Sequence, residues 1–93
     1  MSTNKTMTGL AQSFPTLRGV PGVEPWRPEQ LDTWAVVGSG SSGALHAARF
    51  VLAVWNNGPH WRCGGFDLIE AVHTWDPPHV DALRRWLDHP WLP

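Results

Sequence analysis

"VVGSGSSGALHAARF", residues 36–50, decides the fold. Gly38, Gly40 and Gly43 spell G-x-G-x-x-G after two valines, the spacing at which a dinucleotide-binding fold turns from strand into helix and approaches a pyrophosphate. Such a fold needs a strand before the first glycine. It also needs a second strand after the helix, ending in an acidic residue that holds the ribose.

The flanks do not supply these parts. Upstream, "PEQLDTWAVV" (28–37) has proline suited to a first helical position and Glu29 and Asp32 near the positive end of the helix dipole. Leu31, Trp34 and Ala35 share one helical face, so a short helix is expected here, with a three-residue strand at 35–37 as the weaker alternative. Downstream, Ser41 or Ser42 can cap a helix over 43–56, which Asn57-Gly58-Pro59 stops. That helix is apolar apart from a strip of His46, Arg49, Ala53 and Asn56, so it is expected at the centre of the fold. The glycine run therefore predicts a joint between helices, and no nucleotide or other cofactor is expected.

Beyond the joint, Asp67 followed three residues on by Glu70 predicts a capped helix over 67–75, with Leu68, Ile69, Val72 and Trp75 as its inward stripe. Asp76 and Pro77 open a last helix, 77–88, whose expected inner face is Val80, Leu83, Trp86 and Leu87. His89-Pro90 ends it, and Trp91 and Leu92 are expected to fold back. Residues 1–27 carry Pro15, Pro21 and Pro25 and no evident period, which predicts an extended or disordered arm. The expectation is an all-α fold: three to four short helices in one small domain, 28–93, preceded by the arm.

Composition narrows the function classes. The chain has 93 residues, 42% hydrophobic and 16% charged, with a net charge of −1. Residues 1–57 hold four basic and three acidic side chains, and residues 58–93 hold three and five, so no basic field exists to attract nucleic acid or acidic membranes. Arg84 and Arg85 sit among Asp76, Asp81 and Asp88, which sets negative charge where phosphates would lie. One cysteine excludes an internal disulfide, and no apolar run is long enough to span a bilayer. A cytoplasmic protein that binds neither nucleic acid nor membrane is expected.

His60, Cys63, His73 and His79 are the candidate metal ligands, as H-x-x-C followed by H-x5-H, and they frame the alternative of a zinc-stapled helical domain. Cys63 with His60 or His73 could be nucleophile and base, but the sequence offers no orienting third group and no oxyanion hole. A small enzyme or nucleotide binder is accordingly the third reading. Seven tryptophans in so short a chain point elsewhere. Trp34, Trp55, Trp75 and Trp86 fall on helix core faces, whereas Trp26, Trp61 with Arg62, and Trp91 fall outside them. Tryptophan and arginine anchor interfaces, so these four residues are the candidate contact site. The leading expectation is a non-enzymatic protein-interaction module whose partner is another protein or a second copy.

Overall fold

The computed structural model describes residues 3–38, 40–56 and 61–93, and helix α3 (Ser42–Trp55) is its axis. The Ser41 hydroxyl accepts the Ala44 amide at 3.1 Å and starts the helix, and the Asn56 amide closes its end on the Leu52 carbonyl. Eight α3 residues are buried, from Ala44 through Phe50 to Val54, as an apolar face wider than a single stripe requires. His46, expected on a polar strip, is buried with them.

Helix α2 (Pro28–Gly38) precedes α3 and buries Leu31, Asp32 and Ala35. The glycine run thus joins two helices. Gly40 has φ +83°, in the left-handed region where glycine carries no Cβ penalty. Helices α4 (Leu68–Thr74) and α5 (Pro77–Asp88) follow. Asp67 accepts the Glu70 amide and Asp76 accepts the His79 amide, as the capping pattern predicted. The described residues are all-helical, with no strand.

The N-terminal region differs from expectation. It forms a helix, α1 (Thr3–Gln12), a 3-10 turn at Pro15–Leu17, and hydrogen-bonded turns as far as Trp26. Met7, Leu10, Ala11 and Phe14 stand at i, i+3, i+4 and i+7 and are buried, along with Leu17, Val23 and Trp26. Thr8, Gly9, Gln12 and Ser13 dilute that stripe in the sequence, which is why it looks aperiodic. The Thr8 hydroxyl donates to the Val23 carbonyl at 2.6 Å and ties α1 to the turns that follow. Gly22, at φ +88°, lies so close to α2 that a Cβ there would stand 2.5 Å from the Leu31 nitrogen and 2.6 Å from the Arg27 carbonyl oxygen. The core is continuous across positions 27 and 28.

Helix α4 is rotated relative to expectation, and α5 departs at one position. In α4 only Ala71 is buried, with Trp75 just beyond it, and Leu68, Ile69 and Val72 are 50%, 64% and 44% exposed. In α5 Leu83 is buried and Val80 and Trp86 pack half-buried against the core as expected, joined by buried His79 and Ala82, whereas Leu87 is 56% exposed. The physical reason is occupancy. Phe14 packs within ring-contact distance of Phe50 (5.6 Å), Trp75 (5.3 Å) and His79 (6.0 Å), filling the space among α3, α4 and α5. Phe66 stacks on Trp75 and meets Phe50 edge-on, which completes the cluster.

Candidate functional site

The expected contact residues fall in different environments. Trp26 is 4% exposed and packs edge-on against Trp55 at 5.8 Å, so it belongs to the core and offers no surface anchor. Trp61 is half-buried and donates its indole N–H to the Asn56 carbonyl at 2.8 Å. Arg62 is exposed, and its backbone amide donates to Asp32 at 3.1 Å. Trp91 is half-buried over α1 and α5, beside Leu10 and Trp86. The pair at 61–62 is thus fastened at the α2–α3 side, while Trp91 packs half-buried against the core.

Among the described residues the metal candidates do not converge. His60 lies outside the described residues. Cys63 is buried; its amide donates to the Asp32 carboxylate at 2.9 Å and its carbonyl accepts from Arg49 Nε at 2.6 Å. Burial foremost, and then the Asp32 carboxylate beside it, push the Cys63 thiol up to about 12. A thiol held protonated in this way is a poor nucleophile. His73 is exposed on α4, whereas His79 is buried on α5 with both ring nitrogens engaged. Among the described residues, no three His, Cys, Asp or Glu side chains group so as to hold a metal ion.

Two features emerge that sequence reasoning missed. The first is the outward face of α4. Leu68, Ile69 and Val72 lie at i, i+1 and i+4, adjacent on one side of the helix. The opposite side is held rigidly, since buried Trp75 donates its indole N–H to the Gly43 carbonyl at 3.0 Å. Asp67 marks the N-terminal end of this face and His73 its C-terminal end, whereas the Glu70 carboxylate turns toward α3, 3.9 Å from Nε2 of buried His46. Its composition was legible, but which side it would occupy was not.

The second is a hydrogen-bonded chain of Thr16, His79 and Asp76. His79 Nδ1 lies 2.6 Å from Asp76 Oδ1, and His79 Nε2 lies 2.8 Å from Thr16 Oγ1. A carboxylate only accepts, so Nδ1 carries a proton; when Nε2 carries none, it accepts from the Thr16 hydroxyl. The hydrogen bond from His79 holds the Asp76 carboxyl below the usual aspartate range. Phe14 and Trp75 flank the imidazole, each with ring centroid 6.0 Å away. Thr16 opens onto a groove of about 310 Å³ that Ser42, Thr74 and Trp75 also line. Asp76-x-x-His79 is a spacing that local capping explains, but its partner Thr16 is 63 residues distant and carries no sequence signal.

No family model matches this chain, and neither does any curated protein or solved structure. No helix among the described residues is long and apolar enough to cross a membrane.

Proposed function

We propose that this protein is a small helical interaction module that associates with a second copy of itself through the outward face of α4. The observation that carries the reading is the exposure of Leu68, Ile69 and Val72 side by side on one short helix. Contiguous apolar surface of this kind marks contact sites more often than scattered exposed residues do.

Charge placement favours a second copy as the occupant. Two α4 helices packed antiparallel about a two-fold axis set the Asp67 end of one against the His73 end of the other. The same arrangement opposes the two helix dipoles, each acidic end facing a C-terminus that carries an imidazole. With few apolar side chains at its centre, such an interface is small, and an affinity of about micromolar order is expected.

Sedimentation equilibrium across a concentration series tests the reading. The wild-type chain is expected to shift from monomer to dimer, and Ile69→Asp to remain monomeric with unchanged melting. A wild-type chain that stays monomeric throughout, or an Ile69→Asp variant that dimerises as tightly as wild type, overturns it.

A further inference from the structure

The Thr16–His79–Asp76 chain has the order of parts found in nucleophilic acyl transfer: a hydroxyl, a base within hydrogen-bond reach of it, and a group that orients the base. We propose that Thr16 is a nucleophile toward small neutral esters, with His79 as its general base and Asp76 as the positioning residue. This inference is independent of self-association through α4.

The geometry satisfies the main requirements of that chemistry. The Nδ1–H donated to Asp76 fixes the tautomer whose Nε2 lone pair faces Thr16, so the ring is poised to take the hydroxyl proton. The aromatic faces of Phe14 and Trp75 restrain the imidazole and lower the local dielectric. Thr16 itself lies on a short 3-10 turn at the groove, where a substrate reaches it. The first turn of α3 lies on the same groove through Ser42 and Gly43, and because the Ala44 amide is taken by the Ser41 hydroxyl, the proposal assigns the developing oxyanion to the Ser42 and Gly43 amides.

The lining also selects the substrate class. It carries hydroxyls from Ser42 and Thr74 and the Trp75 ring, but no lysine or arginine, and the Asp76 carboxylate stands at its edge. Carboxylate and phosphate groups are therefore disfavoured. A neutral ester with a short acyl chain fits a groove of about 310 Å³.

The reaction balances with water as its second substrate. Thr16 Oγ1 forms a bond to the ester carbonyl carbon while its proton moves to His79 Nε2. The carbonyl electron pair shifts onto oxygen beside the α3 amides. Collapse of this intermediate breaks the bond to the leaving alcohol, which takes the proton from His79. Water, deprotonated by the same nitrogen, then attacks the acyl-threonine, releases the carboxylic acid and restores the Thr16 hydroxyl.

The test uses the full chain with p-nitrophenyl acetate. Peptide mass mapping after brief exposure is expected to find the acetyl group on Thr16, with turnover above that of free imidazole at the same histidine concentration. General-base catalysis contributes about 10²–10⁴-fold, so Thr16→Val is expected to lose at least tenfold of the turnover and all of the adduct. Thr16→Ser should retain both. Asp76→Asn preserves helix capping, because asparagine caps as well as aspartate, and is expected to lower kcat at least tenfold with KM unchanged. Acetylation confined to other residues, turnover no faster than imidazole, or full turnover in folded Thr16→Val overturns the proposal. The mapping on wild-type protein decides the matter even if Thr16→Val does not fold.

Discussion

Residues 3–26 and helix α4 exchange the roles that their sequences predict. The first segment is punctuated by prolines and polar residues, yet it buries Met7, Leu10, Ala11, Phe14, Leu17, Val23 and Trp26. Helix α4 displays an apolar run, yet it turns Leu68, Ile69 and Val72 outward. Both outcomes have one cause. The cavity bounded by α3, α4 and α5 is finite, and Phe14 fills it with contacts to three rings. Once it is filled, a seven-residue helix gains no more by turning Leu68 or Ile69 inward. Hydrophobicity qualifies a side chain for the core, and close packing decides which ones enter.

Removing residues 1–26 is the largest perturbation of that comparison. The truncated chain is expected to lose cooperative thermal unfolding, because the rings of Phe50 and Trp75 lose their cover. Cys63 reports the same event. In the intact chain its buried thiol, with pKa about 12, should react slowly with a thiol-specific disulfide reagent at pH 8, and the truncated chain should react at the rate of an unfolded peptide. A truncated chain that melts cooperatively and protects Cys63 would restore the N-terminal region to a dispensable arm.

Single substitutions sharpen the contrast. Phe14→Ala should cost about 3–5 kcal/mol in urea unfolding, the range for deleting a buried aromatic ring. Ile69→Ala, at an exposed position, should change stability by no more than about 0.5 kcal/mol in the monomer. Equal losses at the two sites would show that α4 is packed inward after all.

Glycine substitutions come next in size. Gly22→Ala meets the backbone of Arg27 and Leu31 from a left-handed conformation, so a loss of about 3 kcal/mol is expected. Gly40→Ala, also left-handed but with open space around the added carbon, should lose about 1 kcal/mol. Thermal melting of both variants compares the N-terminal packing with the α2–α3 joint directly.

The smallest effect is the response to acid. Asp76 titrates lower in the folded chain than in the unfolded one, so it stabilises the fold above its ordinary value of 3.8. That contribution is lost as pH falls through the lower folded value. The melting temperature of wild type should therefore drop on acidification below about pH 4, and Asp76→Asn should drop less. Identical acid profiles would mean that ionisation of Asp76 adds nothing to stability in solution.

What the sequence by itself determined was local. Ser41, Asp67 and Asp76 cap helices whose amides lie three residues away, and Pro28 and Pro77 stand at helix starts because their rings fit only there. The wide apolar face of α3 placed it at the centre, and the Pro28 start and the Ser41 cap set a helix on each side of the glycine run. Tertiary structure alone decided the rest. Asp32 meets the Cys63 amide across 31 residues, Thr16 meets His79 across 63, and the α4 stripe faces out because Phe14 faces in. Capping and periodicity act through bonds that a few neighbouring residues complete. Competition for one finite core is settled only when every segment is present at once.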